Sequence, residues 1–303
     1  MQINSLSQIV SKARQSGGKV EVFCVQPYDD STLKALGSLR SWGGGIKLTL
    51  FGKREKIVSS EYCRGLEDVE IIEGDTEEIN TARAIETIRA NKPAVLMKGL
   101  VNTAVFLRVL FRSESVKASG RLVSHVSCLE VPGFERLLFI TDGTVNVNPD
   151  LKTKIGIVEN VCEFVRSLGF EKPKIAVIGI NERITQSNQD LIDGAVIAKM
   201  SERGHFGNCY IDGPMPLDTA LSKEAAVKKM ILSPVGGEAD VLVCSNLESA
   251  ANLIKVLVHL AHSKTAGLLL GAGFPVVLTS RSDSSDSKEI SLAMAVLNAT
   301  GGV

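Results

Sequence analysis

The sequence predicts an α/β protein with two α/β domains and mostly parallel sheets. Short apolar runs of strand length alternate with longer segments of helical periodicity along all 303 residues. The predicted strands number about ten or eleven, which is large for one sheet. With 44% hydrophobic and 22% charged residues, the composition is that of an ordinary globular enzyme.

Composition and charge argue against several classes of partner. Lys and Arg together number 34, as do Asp and Glu, so we expect no nucleic-acid partner and no attraction to a membrane surface. The apolar runs are far shorter than the roughly 20 residues of a membrane span, and residues 1–19 lack the apolar core of a secretion signal. The six cysteines are widely spaced without a CxxC pair, which favours reduced thiols in a cytoplasmic protein over disulfides or a metal site.

The N-terminal part of the chain starts with a helix and then alternates strands with helices. A strand over residues 20–25 precedes a helix that starts at Asp30, a second strand covers residues 46–51, and a further helix covers residues 78–90. The glycine triplet at 43–45 stands between the first of these helices and the second strand. We interpret it as a turn rather than a phosphate loop, because no Lys-Ser or Lys-Thr pair follows it.

Lys98 and Gly99 follow the apolar run 93–97, and the next helix is predicted to begin near Asn102 and Thr103. A lysine, a glycine and a threonine at a strand-to-helix junction can hold an anion through charge, backbone N–H groups and a hydroxyl. The same spacing equally allows Lys98 to be a solvated strand end and Thr103 to be a helix cap. From spacing alone, both interpretations stay open.

Two more strands precede the middle of the chain. Residues 121–129 alternate as a strand does, with Ser124 and His125 near the centre. A histidine in a strand is compatible with either a structural or a catalytic role. Residues 137–141 form the next strand, which ends at Asp142.

The polar bend at residues 142–148 is the first candidate for a domain boundary. Asn148 and Pro149 then open a helix, with Asn as the cap and Pro at the first helical position. The alternation of strands and helices continues from there to the C-terminus. Predicted strands cover residues 174–180, 208–211, 239–244, 266–270 and 275–279.

Polar residues follow most of these strands at the carboxyl end, where open α/β sheets bind ligands. The stretch 280–287 is the richest, with one arginine, two aspartates and five serines ahead of an apolar helix. The N-terminus of that helix would favour an anion. The GxSxG and HExxH signatures are absent, and no GxGxxG follows the first strand. The residues therefore predict a small-molecule enzyme that acts on a phosphorylated or otherwise anionic substrate.

Several motifs recur in a defined order from about residue 90 to the C-terminus. They are LMKG at 96–99 with Thr103, LVSHV at 122–126, ITDGTVNVNP at 140–149, Glu182, IDGPMPLD at 211–218, ADVLV at 239–243, Asn252 with Lys255, and PVVLTSR at 275–281. This ordered set resembles the phosphate acetyl/butyryl transferases, most closely the phosphate butyryltransferase branch.

The resemblance implies that acyl-CoA and phosphate interconvert with acyl phosphate and CoA, for short butyryl or branched acyl chains. It implies direct attack by the CoA thiol, with CoA and phosphate as substrates and with no obligatory cofactor or metal. It also implies a homodimer or higher homo-oligomer of two α/β domains with an interdomain cleft, an isocitrate/isopropylmalate dehydrogenase-like fold. The first domain would be residues 1–142 plus 270–303, and the second, with the dimer contact, residues 143–269.

Within that reaction, Arg281 is expected to hold the phosphate bidentately and Ser280 to donate to the developing oxyanion. The alternative for Arg281 is a structural ion pair. Asp283 or Asp286 would be the base for the CoA thiol, although the spacing of Asp286 also suits a helix cap. The expected substrate-binding residues are Lys98, Gly99, Thr103, Ser124, Thr141, Asp142, Glu182, Asp212, Pro214, Asn252 and Lys255.

Three other functions stay open. The acyl group could be acetyl rather than butyryl. A metal-dependent dehydrogenase of related fold would need a cluster of metal-binding aspartates, and the sequence has no convincing one. A non-catalytic CoA-binding relative is suggested by the segment before Asn252, where Ser245 and Ala251 replace the family's Pro and Gly and residues 248–252 appear one residue longer.

Overall fold

The computed structural model describes residues 3–16, 19–42, 45–66, 69–88, 92–280 and 283–301. Twelve α-helices and eleven strands alternate within these ranges, which confirms the α/β class. The chain divides into two compact units. The first unit comprises Leu6–Arg121 and Ala266–Val303, and the second comprises Met1–Ser5 and Leu122–Thr265. The predicted boundary after residue 142 falls within the second unit, and the domain assignment itself stays a prediction.

The strands belong to a single mixed sheet that is mostly parallel. The expectation of more than one sheet, which came from the number of strands, is therefore wrong. Twisted open sheets usually have about four to six strands, but in large α/β enzymes they reach eight to fifteen. The number of strands thus cannot by itself show how many sheets a protein contains.

The first unit contains the N-terminal elements and the last helix. Its elements are α1 (Leu6–Gln15), β1 (Glu21–Val25), α2 (Asp30–Ser38), β2 (Lys47–Phe51), α3 (Arg54–Val58), β3 (Glu70–Ile72), α4 (Glu77–Thr87), β4 (Ala94–Lys98), α5 (Thr103–Arg112), α6 (Glu114–Ser119), most of β10 (Lys264–Leu270), β11 (Val276–Val277) and α12 (Ser285–Ala299). The strand order is β3-β2-β1-β4-β11-β10.

The carboxyl ends of β4 and β11 lie at the same edge of the sheet, because the two strands are parallel partners with Val277 beside Met97. Lys98 ends β4, and Ser280 follows β11 by three residues. All five residues of β4 are buried, as is normal for a central parallel strand. Helix α12 contacts α1, α2 and β4, and its residues 290–297 are buried all round the helix.

The second unit contains the middle of the chain. Its elements are β5 (Ser124–Glu130), β6 (Leu138–Thr141), α7 (Leu151–Ser167), β7 (Lys174–Ile178), α8 (Gln189–Glu202), β8 (Tyr210–Met215), α9 (Leu217–Leu221), α10 (Lys223–Lys228), β9 (Val241–Val243) and α11 (Leu247–His259). The strand order is β5-β6-β9-β7-β8, and only the β5–β6 pair is antiparallel.

Two local predictions in this unit are wrong. Helix α7 is capped by Asp150, whose carboxylate accepts the N–H of Thr153 at 2.8 Å, rather than by Asn148. Asp150 directly follows Pro149, and asparagine and aspartate are both good helix caps. The sequence alone therefore could not decide between Asn148 and Asp150. Strand β8 extends to Met215 and therefore includes Asp212 and Pro214. The sequence predicted a shorter strand, residues 208–211, with these two residues after its end.

No helix in the described part of the chain is long and apolar enough to cross a membrane.

Candidate functional site

An open cavity of about 390 Å³ in the first unit is lined by Lys98, Asn102, Thr103 and Ser280. Three of these were predicted site residues, from two stretches of sequence more than 170 residues apart. They meet because β4 and β11 are parallel neighbours whose carboxyl ends share one edge. The cavity therefore combines an ammonium, hydroxyl groups and a helix N-terminus.

Lys98 is buried, with 2% of its surface exposed, so it is not a solvated strand end. Its ammonium donates to the carbonyl oxygens of Gly99 at 3.1 Å and Val101 at 3.2 Å. These bonds bend the side chain back over the turn that follows β4. A cation held in this way beside a cavity favours the binding of an anion there.

Gly99 allows two stretches of backbone to approach closely. A Cβ at this position would lie 2.4 Å from the carbonyl oxygen of Gln26 and 2.6 Å from that of Val25. The Gly99 N–H donates to Val25 at 2.8 Å, and the next N–H, of Leu100, donates to Gln26 at 2.7 Å. Gly99 therefore positions the turn whose carbonyl groups bind the Lys98 ammonium. Any side chain at position 99 would push this turn away from Val25 and Gln26.

Asn102, not Thr103, is the cap of α5. Its side-chain oxygen accepts the N–H groups of Ala104 at 2.9 Å and Val105 at 3.3 Å. Its own N–H donates to the Glu77 carboxylate at 3.1 Å. Because Asn102 takes the capping role, the exposed Thr103 faces the cavity as the first residue of a ten-residue helix.

Asp283 holds the backbone of Ser280. Its carboxylate accepts the Ser280 N–H at 2.7 Å, and its own N–H donates back to the Ser280 carbonyl at 3.2 Å. The two bonds join Ser280 and Asp283 between the end of β11 and the start of α12. Arg281, predicted to hold the phosphate, lies outside the described residues.

Ser284 is the cap of α12, and its hydroxyl accepts the N–H of Ser287 at 3.2 Å. The capping interpretation of Asp286 is therefore wrong, because the cap lies two residues earlier. Asp286 is exposed in the first turn of the helix, where its carboxylate accepts a bond from the Ser285 hydroxyl at 3.4 Å. A carboxylate is favoured there by the helix dipole.

Lys288 forms a polar cluster that the sequence did not predict. Its ammonium, 2% exposed, donates to Asp29 at 2.8 Å and to the hydroxyls of Ser31 and Thr32 at 2.7 and 2.9 Å. Asp29 caps α2, so the cluster joins the start of that helix to the first turn of α12. Burial raises the pKa of Asp29, but the bonds from Lys288, Ser31 and Thr32 outweigh it and bring the pKa down to about 2.

The predicted residues of the second unit begin with Asp142, which is 3% exposed and follows β6. Its carboxylate accepts four hydrogen bonds, from the N–H groups of Thr144, Val145 and Asn146 and from the Asn146 side chain, at 2.6 to 3.3 Å. The Asn146 amide also donates to the Val123 carbonyl at 3.0 Å. Asp142 thus orders the turn from 142 to 146.

Ser124 and Thr141 are both buried and hydrogen-bonded. The Ser124 hydroxyl accepts from Asn160 at 2.9 Å, and the Thr141 hydroxyl donates to the His125 carbonyl at 2.7 Å. The His125 ring is buried, and within the described part of the chain its Nδ1 has no hydrogen-bond partner. Burial lowers the pKa of His125, partly opposed by the nearby Asp142 carboxylate.

The remaining predicted residues occupy different surroundings. Glu182 lies 3.9 Å from the Lys229 ammonium, which also pairs with Asp218 at 3.0 Å. The Asp212 carboxylate accepts the N–H of the next residue at 2.7 Å. Pro214 is buried.

Helix α11 carries Asn252 and Lys255, both exposed and three residues apart. Gly143 packs against the same helix, because a Cβ there would lie 3.0 Å from Ile254 and 3.6 Å from the Ala251 N–H. The turn after β6 and the exposed pair on α11 are therefore close neighbours.

Among the described residues, no group of three or more His, Cys, Asp or Glu side chains is arranged to hold a metal ion.

Residues 63–296 match the family described as "Phosphate acetyl/butaryl transferase". The chain belongs to this family. It is 37% identical to the phosphate butyryltransferase of Clostridium acetobutylicum over 297 residues, which cover 97% of this chain and 98% of that protein. It is 34% identical to the phosphate acetyltransferase of Thermotoga maritima over 295 residues, covering 96% and 99% of the two chains.

A solved structure named as a branched-chain phosphotransacylase from Enterococcus faecalis aligns with a TM-score of 0.78 and 26% identity, covering 92% of this chain and 99% of the other. The predicted resemblance to the phosphate acetyl/butyryl transferases is thus confirmed, and the relatives are named as acyltransferases. The kinship with isocitrate/isopropylmalate dehydrogenase folds stays a prediction.

For this phosphate acetyl/butyryl transferase, the structure brings Lys98, Thr103 and Ser280 to one cavity. Two relevant residues were missed in the sequence, namely Asn102 as the cap and Lys288 as the buried cation. Lys288 did leave a signal, because a lysine on the buried stripe with Ser291 and Leu292 needs a partner.

Proposed function

We propose that this chain is a phosphate acyltransferase that interconverts short-chain acyl-CoA, butyryl or branched, and phosphate with acyl phosphate and CoA. The observation that carries the proposal is the family match, with 37% identity to a phosphate butyryltransferase over nearly the full length of both chains. The cavity at Lys98, Thr103 and Ser280 supports it, because its groups suit a phosphate or acyl phosphate.

The phosphate group would be bound at the carboxyl end of β4. The buried Lys98 ammonium supplies a fixed positive charge, and the N-terminus of α5 adds a favourable dipole for an anion. The Thr103 hydroxyl can donate a hydrogen bond. Arg281, next to Ser280 in the sequence, would add a bidentate contact to the phosphate, and its guanidinium stays charged at all working pH values.

The chemical step would be attack of the CoA thiolate on the acyl carbon, with the carbon–oxygen bond to phosphate breaking as the tetrahedral intermediate collapses. Ser280 would donate to the carbonyl oxygen as negative charge develops there, a contact worth roughly 3 kcal/mol in comparable sites. The phosphate leaves with its charge held by the two cations. This scheme needs neither an acyl-enzyme nor a metal.

We assign the base to Asp286 rather than Asp283. The Asp283 carboxylate is engaged with the Ser280 N–H at 2.7 Å, so its role is to position Ser280. Asp286 is exposed, and its one contact within the described residues is a 3.4 Å bond from a hydroxyl. A free thiol has a pKa of about 8.5, so a nearby carboxylate can assist its deprotonation.

The first experiment follows thiol release from butyryl-CoA in phosphate, with acetyl-CoA and isovaleryl-CoA in parallel. We expect Arg281→Ala and Lys98→Met to lower kcat/KM by on the order of a hundredfold, since each removes a charge-assisted contact in the transition state. Arg112→Ala, at the exposed end of α5, is the matched control and should leave the rate unchanged. Thiol release no faster than that of Arg281→Ala would refute the proposal.

The assay also separates the other candidates. A preference for acetyl-CoA would make the chain a phosphate acetyltransferase. Nicotinamide reduction that requires a divalent metal would identify a dehydrogenase. CoA binding by calorimetry without turnover of any acyl-CoA would identify a non-catalytic relative.

The residues of the second unit would contribute to CoA and acyl binding in this scheme. Asn252 and Lys255 are the strongest candidates for the charged part of CoA, because both are exposed and lie beside the turn after Asp142. We further propose that the enzyme acts in the cytoplasm as a homodimer, as the resemblance implies. Sedimentation of the purified chain tests the oligomeric state.

A further inference from the structure

Two carboxylates bind the backbone of residues that line the candidate phosphate cavity. Glu77, the first residue of α4, accepts the N–H of Asn102 at 3.1 Å. Asp283 accepts the N–H of Ser280 at 2.7 Å. Asn102 and Ser280 both line the cavity. The opening that the proposed function assigns to an anion therefore has a negative charge next to each of these two lining residues.

The positive charge at the cavity is limited. Lys98 is the cation among the described lining residues, and its ammonium already donates to the carbonyl oxygens of Gly99 and Val101. Arg281, which we expect to contact the phosphate, adds a second positive charge. Repulsion from a carboxylate grows in proportion to the charge of the ligand. Such a balance of charges admits an anion of low charge and disfavours a polyanion.

The proposed reaction brings both kinds of anion to the enzyme. Phosphate and acyl phosphate each carry a single phosphoryl group, whereas CoA carries a pyrophosphate and a further phosphate monoester. The CoA phosphates would bind any strongly cationic site, so specificity against them requires a repulsive element. A carboxylate close enough to the anion site to escape screening by salt is such an element.

Glu77 is not required as a helix cap or as an ion-pair partner. Helix α4 is capped by Thr76, whose hydroxyl accepts a backbone N–H at 3.2 Å. Within the ranges that the structure describes, Glu77 forms no salt bridge, whereas the next carboxylate, of Glu78, pairs with Arg108 at 2.9 Å. Both glutamates lie in the first turn of α4, where the helix dipole favours them alike. Glu77 differs from Glu78 in having an uncompensated charge next to the cavity.

We propose that Glu77 is a specificity-determining residue, which keeps polyanions such as the pyrophosphate group of CoA out of the phosphate cavity. This role rests on the proposed function, because it concerns which anion the same cavity accepts. Glu77→Gln keeps an acceptor oxygen for the Asn102 N–H and removes only the charge. The variant therefore separates electrostatic selection from the positioning of Asn102.

The test is isothermal titration calorimetry of the full-length chain with phosphate and with pyrophosphate, at low and at high salt. For Glu77→Gln at low salt, we expect the Kd for phosphate to fall about twofold and the Kd for pyrophosphate about fivefold, because the more highly charged ligand gains more. Both gains should shrink at high salt, which screens the charge. Glu78→Gln is the matched control, because it removes the same charge one residue later and should leave both constants unchanged.

Calorimetry measures binding without turnover, so this test and the thiol-release assay can fail separately. The proposal is overturned if Glu77→Gln leaves the preference for phosphate over pyrophosphate unchanged, which is the result expected if Glu77 only positions Asn102. It is also overturned if the wild-type chain binds pyrophosphate as tightly as phosphate, if neither anion binds, or if Glu78→Gln has the same effect as Glu77→Gln.

Discussion

Removing Lys288 tests how the loop at Ser280 is supported. The Lys288 ammonium makes three hydrogen bonds to Asp29, Ser31 and Thr32, and it lies one turn after the cap of α12. In Lys288→Met these bonds disappear, and the start of α12 loses its tie to α2. We therefore expect a lower free energy of unfolding and a less firmly positioned backbone at Ser280.

The magnitude follows from the pKa of Asp29, which is about 2 rather than the ordinary 3.8. The difference between 3.8 and about 2 corresponds to roughly 2.5 kcal/mol, at about 1.4 kcal/mol for each pKa unit. Ser31 and Thr32 contribute part of this, so Lys288→Met should cost about 1 to 2 kcal/mol. Asp29→Asn should cost more, about 3 to 5 kcal/mol, because it leaves a buried ammonium without its carboxylate.

The effect also depends on pH. Because the folded pKa of Asp29 is depressed, its stabilisation is present above the unfolded value of 3.8 and is lost as pH falls through about 2. The difference in the free energy of unfolding between the wild-type chain and Asp29→Asn should shrink by roughly 1 kcal/mol between pH 5 and pH 3.

Urea denaturation at pH 5 and pH 3 measures these differences. The matched control is Lys117→Met, which breaks an exposed pair with Glu114 at 2.8 Å and should cost less than about 0.5 kcal/mol. The reasoning is refuted if Lys288→Met is no more destabilising than Lys117→Met, or if the Asp29→Asn difference is independent of pH.

Three further predictions follow from single contacts. Ser284→Ala removes the cap of α12 and should cost about 1 kcal/mol in urea denaturation, whereas Ser285→Ala, which caps nothing, should cost little. Asp142→Ala removes the acceptor of four hydrogen bonds and should lower the free energy of unfolding by about 2 to 4 kcal/mol; a loss below about 0.5 kcal/mol would contradict the proposed ordering of the turn. Burial lowers the pKa of His125 below 6.5, so protons bind the unfolded chain better and stability should fall as pH drops below 6.5; thermal unfolding of His125→Gln should lack that part of the pH dependence.

Several elements were predictable because they depend on local patterns. The strand at Glu21–Val25 and the helix from Thr103 both appear where the sequence placed them, since apolar periodicity and capping residues act over a few positions. Strand β3 was missed, because its three residues are half-buried or exposed and carry no apolar run.

Choices between neighbouring polar residues were less predictable. Asp286 and Ser284 are equally able to cap α12, and Asn148 and Asp150 are both good caps for α7. The backbone path decides which side chain points back at the free N–H groups, and the backbone path depends on how each helix packs.

The sequence by itself determined the α/β class and the family and pointed to the stretches that carry the candidate site, because ordered motifs and periodicity are properties of the chain. Only the tertiary structure showed that Lys98 is buried and that Thr103 and Ser280 share its cavity. Parallel pairing of β4 with β11 brings together residues that are far apart in sequence. The same holds for Lys288, whose partner Asp29 lies at the other end of the chain and is reached only when α12 packs against α2.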